Sequence, residues 1–416
     1  YSSAASDVYK RQIGTNDQIH SVSITGRDGI TLEGNITTSN KSSNNVSFTG
    51  PVSINAATVA IDTNAAGNDG TVTFSSTIDS LTSGRNLDLV SGGAKITVDG
   101  TIGSTLALTT LDVNASAGAG DIELANIGDS LGTGVTGTST IGNSATNLLT
   151  LDGTVYFTDV VDYEAKSAGS IAISGGTVTF TTDTDAMTFS TAPVVLSGDG
   201  TTTMTTGSGG AGVITFASRI DGTGGSGENL TLESGTGNIT VTGAIGASSA
   251  LGNLTMNTGG DGDITLTSNI GADASNPGVT GVTRIGNAAT ADLSLDGTVY
   301  TTGGTTTYTG AAIDLGTADP TFTTSDDAIT FGTGNVTHID DLTVNSVGGA
   351  ISFAGSLLGS GGLDDTVTLN ASGGSTNTVA VSVIGADGGN IKSVALTGSG
   401  GITLAGNIFT ANTGSN

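Results

Sequence analysis

Short runs of alternating apolar and polar residues recur along the chain, and polar turns separate them. Between residues 213 and 271, the apolar residues two positions apart are Ile214/Phe216, Leu230/Leu232, Ile239/Val241, Leu254/Met256 and Ile264/Leu266. A period of two predicts short strands with one buried face. The segments between them are rich in Gly, Asn, Asp and Ser, which are residues that favour turns.

The spacing of these pairs defines a repeat. Ile214, Ile239 and Ile264 follow one another at intervals of 25 residues, and a single isoleucine, such as Ile220 or Ile245, comes six residues after each. One unit therefore holds two short strands and a third, minor one. No apolar stripe recurs at the 3.6-residue spacing of a helix, so the sequence predicts an all-β protein.

A longer repeat contains the shorter one. The segment NLDLVSGGAKITVDGTIG at 86–103 returns as NLTLESGTGNITVTGAIG at 229–246, an offset of 143 residues, and LDGTVY begins at both Leu151 and Leu295. The closing stretch of the chain repeats its opening stretch. Equivalent Ile-Gly corners are marked by Ile13, Ile102, Ile245 and Ile384.

A unit of 25 residues with about five apolar side chains cannot bury enough surface to fold alone, so neighbouring units must stack. We therefore predict a parallel β-helix (β-solenoid) with coils of about 25 residues, running as one continuous solenoid over 13–416. The expected core ladder is Phe74, Ile96 and Ile122, with the counterparts Phe216, Ile239 and Ile264. The alternative is a string of β-sandwich domains of about 140 residues, which the 4% aromatic content and the absence of Trp and Cys disfavour.

Charge limits the partners. The formal net charge is −27, with 37 Asp and Glu against ten Lys and Arg. Such a chain repels phosphate backbones and anionic lipids, so we expect no nucleic-acid binding, and Ca²⁺ is the expected counterion. No run of 18 apolar residues suggests a membrane span, and without Cys there is no disulfide or thiol chemistry.

The first residues differ from everything that follows. The stretch SSAASDVYKRQ places Lys10 and Arg11 side by side in a chain that is otherwise poor in cations. It resembles one translated reading frame of a sequencing adapter. We therefore expect 1–12 to be a non-native, disordered tail and the remaining chain to be a fragment from a metagenomic read.

Few residues are candidates for chemistry. Of the two histidines, His20 stands apart, whereas His338 lies in THIDDLT beside Asp340 and Asp341. Adjacent carboxylates, which a glycoside hydrolase on a β-helix would need from neighbouring coils, occur at Asp326/Asp327, Asp340/Asp341 and Asp364/Asp365. GGDGDITL, with Asp261 and Asp263, is similar to a calcium-binding nonapeptide, but one aspartate is one place early. We interpret all of these as residues of turns and strands, and assign no catalytic, metal or cofactor site.

The repeat also carries a family resemblance. The order ITF-x-x-x-I, NLTL, GNITV-x-G-x-IG, NLTM and DITL-x-x-NIG resembles the β-strand repeats of giant bacterial surface exoproteins of the filamentous haemagglutinin and autotransporter-adhesin kind. The resemblance implies a secreted or cell-surface protein that is not an enzyme and acts as a rigid stalk or adhesion surface. Its partners would be proteins or glycans of a host, matrix or neighbouring cell. The alternatives are a polysaccharide-active β-helix enzyme and a calcium-binding protein similar to surface-layer proteins.

Overall fold

The computed structural model describes residues 8–9, 19–39, 42–64, 67–114, 119–130, 132–224, 227–317, 319–325, 327–360, 365–386 and 391–410. These residues contain strands, bridges and turns, and no helix. In particular, the described part of the chain has no helix with the length and hydropathy that crossing a membrane requires. The chain divides into two compact units, 1–198 and 199–416.

Both units are built from short strands. Those of the first unit are β1 (Val8–Tyr9), β2 (Val22–Thr25), β3 (Ile30–Leu32), β4 (Ile36–Thr37), β5 (Val46–Thr49), β6 (Val52–Ile54), β7 (Thr58–Asp62), β8 (Val72–Phe74), β9 (Ile78–Ser80), β10 (Asn86–Val90), β11 (Ile96–Val98), β12 (Thr110–Val113), β13 (Ile122–Leu124), β14 (Ser139–Gly142), β15 (Leu148–Leu151), β16 (Val155–Thr158), β17 (Val161–Glu164), β18 (Ser170–Ile173), β19 (Val178–Thr182), β20 (Met187–Ser190) and β21 (Val194–Leu196). Those of the second unit are β22 (Gly200–Thr205), β23 (Ile214–Phe216), β24 (Ile220–Asp221), β25 (Glu228–Ser234), β26 (Ile239–Val241), β27 (Leu254–Thr258), β28 (Ile264–Leu266), β29 (Thr283–Ile285), β30 (Asp292–Leu295), β31 (Val299–Thr302), β32 (Thr306–Tyr308), β33 (Ala312–Leu315), β34 (Thr321–Thr324), β35 (Ile329–Phe331), β36 (Asn335–His338), β37 (Leu342–Ser346), β38 (Ile351–Gly359), β39 (Asp365–Ala371), β40 (Thr378–Ile384), β41 (Ile391–Gly398) and β42 (Gly401–Leu404).

Each unit is a parallel β-solenoid, which confirms the predicted fold class, with coils of about 24 residues. Strands of successive coils pair in parallel and in register, so Ile239 lies beside Ile214 on one side and Ile264 on the other. The minor third strand is also present, because Ile220, Ile245 and Ile270 are joined by parallel bridges. Equivalent residues of the short repeat therefore lie one above another, as predicted.

The core consists of the inward residues of these strands. In the three-residue strands β11 and β26, the first and third residues are buried and the central Thr is half-buried. The predicted ladder was wrong at the phenylalanine in both units. Ile96 pairs with Val72 and Ile122, whereas Phe74 pairs with Val98. In the same way, Ile239 pairs with Ile214 and Ile264, whereas Phe216 pairs with Val241. Two adjacent columns thus line the same wall, because each strand contributes two inward side chains.

Aromatic stacks reinforce the core at equivalent places of the long repeat. Tyr156 stacks on Phe180 with ring centroids 4.6 Å apart, and Tyr300 stacks on Phe322 at the same distance. Each tyrosine hydroxyl accepts a hydrogen bond from the buried turn three residues earlier, at 2.8 Å from the Gly153 amide and 2.7 Å from the Gly297 amide. The repeated LDGTVY segment therefore encodes a corner that a buried phenol closes.

The Ile-Gly corners need glycine for two reasons. Gly103 and Gly246 have φ of 69° and 66°, values that L-residues with a side chain rarely adopt. A Cβ would also lie 2.2 Å from the carbonyl oxygen of Gly134 in the first case and 2.0 Å from that of Gly278 in the second. The corner is thus fixed by backbone packed against backbone of the next coil.

Part of the N-terminal segment is described. Strand β1 pairs in parallel with β3 through Val8 and Thr31 and through Tyr9 and Leu32. The other residues of 1–12, including Lys10 and Arg11, and Ile13 lie outside the described residues. The adapter origin of this segment and a single solenoid over 13–416 stay predictions.

Candidate functional site

His338 lies at the end of β36 and is fully buried, with 0% exposure. Its Nδ1 is 2.6 Å from the carbonyl oxygen of Asp340 and therefore carries the proton, while its Nε2 has no hydrogen-bond partner among the described residues. Burial lowers the pKa of His338, although the Asp340 hydrogen bond and the charges of Asp365, Asp341 and Asp340 oppose the shift. The Asp341 carboxylate accepts a hydrogen bond from the Thr366 amide at 2.7 Å. This group supports a turn and offers no open substrate position.

The other carboxylate pairs are only partly described. Asp326 and Asp364 lie outside the described residues. Asp327 contributes its carbonyl oxygen, which accepts hydrogen bonds from the hydroxyls of Thr324 at 2.5 Å and Ser346 at 2.9 Å. Through these two hydrogen bonds, Asp327 acts as a turn residue.

Asp263 also links neighbouring coils through hydrogen bonds. Its Oδ1 accepts a hydrogen bond from the Asp292 amide at 3.2 Å, and its amide donates to Asn238 at 2.9 Å. Asp261 and His20 are exposed. Within the described ranges, no group of three or more His, Cys, Asp and Glu residues is arranged to hold a metal ion.

A groove in the first unit brings together carboxylates that the sequence analysis did not select. Strands β16 and β19 pair in register, with Phe157 beside Thr181. The turns that follow the two strands therefore lie one above the other, and they carry Asp159 and Asp183. The residues that line the groove include Val135, Phe157, Thr158, Asp159, Thr181 and Asp183.

The second of these turns is tightly constrained. The Thr182 hydroxyl donates a hydrogen bond to the Asp185 carbonyl oxygen at 2.6 Å. Thr184, between them, has a φ of 77°. A β-branched residue in the left-handed region is strained, and such strain is concentrated at functional sites. Asp183 and Asp185, on either side of Thr184, both lie close to Asp159.

Two neighbouring carboxylates act on Asp159. Partial burial, a hydrogen bond with Asp185, and the charges of Asp185 and Asp183 raise the pKa of Asp159 to about 6. A hydrogen bond between two carboxyl groups requires that one of them carries a proton. Asp159 is therefore a weak acid beside a second carboxylate.

The residues of the groove differ between the two copies of the long repeat. After the shared LDGTVY segment, the first copy continues as FTD and the second as TTG. Phe157, Asp159 and Asp183 correspond to Thr301, Gly303 and Ser325. Since both copies fold into the same coils, these three residues are not required for the fold.

The chemistry of the groove is that of acid–base catalysis or polar ligand binding. A carboxylic acid with a pKa near neutrality beside a carboxylate can protonate a leaving oxygen, and the half-exposed ring of Phe157 offers an apolar face. Asp159 and Asp185 are 26 residues apart, so they do not appear among the adjacent aspartates of the sequence. Comparing the two copies of the long repeat would have indicated the position.

The chain was also compared with known proteins. No family model, no curated protein and no solved structure matches it.

Proposed function

We propose that this chain is a structural and adhesive repeat segment of a large secreted or cell-surface bacterial protein, and that it is not an enzyme. The observation that carries the proposal is the regular stacking of buried aliphatic side chains from coil to coil. Ile214, Ile239 and Ile264 exemplify it in the second unit, and Val72, Ile96 and Ile122 in the first. A stacked core of this kind supplies stiffness and a repeated outer surface, which suits a stalk that presents contacts to other molecules.

The surface supports contact with neutral partners. With a net charge of −27, the outer residues repel anionic polymers. The outward positions of the strands are mainly Thr, Ser, Asn and Asp, which bind by hydrogen bonds. We therefore place the partners among proteins and uncharged glycans of a host, a matrix or a neighbouring cell.

A paired assay tests this proposal. The purified chain is immobilised and presented with matrix proteins, surface extracts and polysaccharides, and the release of reducing ends from the same polysaccharides is followed in parallel. We expect retention of at least one matrix or surface component without turnover. Failure to retain any component would contradict adhesion, and turnover would contradict the non-enzymatic role.

A polysaccharide-active enzyme is the second candidate, because Asp159 lines the groove of the first unit and is hydrogen-bonded to the neighbouring Asp185. If this candidate is correct, Asp159→Asn and Asp185→Asn abolish turnover while Asp28→Asn, at an exposed turn outside the groove, retains it. Equal turnover by all three variants would show that the activity does not come from this groove.

A further inference from the structure

The second unit has a groove of its own, on the outer side of three successive coils. Strands β22, β25 and β27 are in register there, so that Thr205, Glu233 and Asn257 form one column. The buried neighbours Met204, Leu232 and Met256 precede them, so the column faces outward. Successive members are separated by the coil spacing of about 4.8 Å. Ser208 and Asn287 complete the walls of a groove of about 270 Å³.

The corresponding place in the first unit is closed. Val90 stands where the second unit has Glu233, and it is almost fully buried. Asn114 stands where the second unit has Asn257. It adopts a φ of 50°, is fully buried, and accepts a hydrogen bond from the Ser91 amide at 2.8 Å.

In the second unit the strand continues through this point. Strand β27 runs to Thr258, whose hydroxyl lies 3.0 Å from that of Thr290. Thr258 therefore takes the inward position, and Asn257 turns outward. The coil is retained in both units. The side chain of Asn114 is buried and hydrogen-bonded in the first unit, whereas the equivalent Asn257 faces outward in the second.

The loop beside this groove also has larger side chains in the first unit than in the second. In the first unit the Asp69 carboxylate accepts a hydrogen bond from the Gly93 amide at 2.6 Å, and Asn64 reaches the same loop. The corresponding loop of the second unit is GSGGAG at 207–212, whose small side chains leave the space open. The groove thus arises from two changes, the loss of filling side chains and the outward turn of Asn257.

Glu233 is exposed and Asn257 is half-buried, so both side chains can reach a ligand. Among the described residues, no hydrogen bond or ion pair engages the side chains of Glu233 and Asn257. A carboxylate accepts two hydrogen bonds, an amide both donates and accepts, and the Thr205 hydroxyl does the same. This column complements neighbouring hydroxyl groups, which also donate and accept.

Other ligand classes fit less well. An anionic ligand would meet Glu233 and the net charge of −27. A metal ion would find one carboxylate, and the described residues hold no group of three or more metal-ligating side chains. The volume lies just below the range of about 300–1,000 Å³ that is typical of drug-sized ligands, so a single small polar unit fits.

We infer that the groove of Thr205, Glu233 and Asn257 binds an uncharged sugar unit through its neighbouring hydroxyl groups. This inference rests on the proposed adhesive function and assigns the contact with glycan to one place in the second unit. Glu233 accepts hydrogen bonds from two adjacent hydroxyls, and Asn257 fixes the orientation of the ring.

Titration calorimetry on the full 416-residue chain tests the inference, with neutral gluco-, galacto- and manno-oligosaccharides and an oligogalacturonate as probes. We expect binding of at least one neutral sugar and none of the oligogalacturonate. Glu233→Val, which restores the residue of the first unit, and Asn257→Ala should each weaken binding at least about tenfold, since each removes hydrogen bonds to the ligand. Glu233→Gln keeps the shape of the side chain and should weaken binding less.

Asp62→Ala is the matched control, because Asp62 occupies the position of the first unit that corresponds to Thr205. Its affinity should stay within about twofold of the unchanged chain. Circular dichroism melting establishes that all variants fold, and Glu233→Gln provides a second test should Glu233→Val lose stability. Absence of binding to every neutral sugar, or undiminished binding by Glu233→Val and Asn257→Ala, would overturn the inference.

The same variants separate this inference from the proposed function. If Glu233→Val and Asn257→Ala still adhere to matrix components as the unchanged chain does, the groove is not the glycan site and adhesion stands. If the unchanged chain binds a neutral sugar in solution but adheres to no matrix or surface component, the groove is confirmed and the adhesive role fails.

Discussion

The stacked core makes a quantitative prediction at Ile239. This residue lies in the core of the second unit with 0% exposure, in register between Ile214 and Ile264. Ile239→Ala removes three carbon atoms from a closed column and leaves a cavity on both sides, which costs about 2–5 kcal/mol in well-packed cores. Ile239→Asp adds a carboxylate without a partner in the same place, so it should cost more.

Urea denaturation followed by circular dichroism measures these costs, and hydrogen exchange reports which coils open. The matched control is Thr240→Ala, whose side chain is half-buried on the outer side of the same strand, and whose effect should stay within about 0.5 kcal/mol. Because each coil covers the next, protection should be lost first in β23, β26 and β28. An Ile239→Ala chain with the same urea midpoint as Thr240→Ala would refute a core built by coil stacking.

Three further changes test individual contacts. Asp159→Asn should raise the free energy of unfolding at pH 8 by up to about 1 kcal/mol, since Asn donates a hydrogen bond to Asp185 without adding a like charge. The folded chain holds the Asp159 proton more tightly than the unfolded chain, so the stability of the unchanged chain falls as pH rises from 3.8 to about 6. Urea titrations at several pH values should show a smaller slope for the variant. Because the pKa of His338 is lowered in the folded chain, the unfolded chain takes up a proton first as pH falls below 6.5. The free energy of unfolding should then fall by at most about 1.4 kcal/mol per pH unit. The same titrations of His338→Asn should lack this contribution of His338 to the pH dependence. Tyr300→Phe should cost about 1–3 kcal/mol in thermal unfolding by leaving the buried Gly297 amide unpaired, and an unchanged transition would contradict that role.

The sequence predicted the fold because the core of a solenoid is local and periodic. Each strand buries residues two apart, and the next coil repeats them about 24 residues later, so period and register can both be read from Ile214, Ile239 and Ile264. The error at Phe74 has the same origin, since each strand supplies two columns and the spacing alone does not say which column a neighbour extends.

The grooves could not be predicted in this way. Asp159 and Asp185 become partners because two turns of different composition follow paired strands, and the geometry of the second depends on the strained Thr184. Glu233 and Asn257 form a column only because β27 continues two residues beyond the point at which its counterpart β12 ends. Such small local differences leave the apolar spacing unchanged, so the pattern that predicts the fold carries no signal for them.

Inward and outward residues of this fold are therefore under different physical constraints. An inward residue is fixed by the residues above and below it, so Ile239 cannot change without affecting two neighbouring coils. An outward position is less constrained, since the buried Val90 and the exposed Glu233 occupy equivalent positions of the same kind of coil. A place where the two copies of the long repeat share their core but differ in several adjoining outward residues is thus a place where the fold does not determine the sequence. The Asp159 groove of the first unit and the Glu233 groove of the second are both such places, so their outward residues can serve a function other than folding.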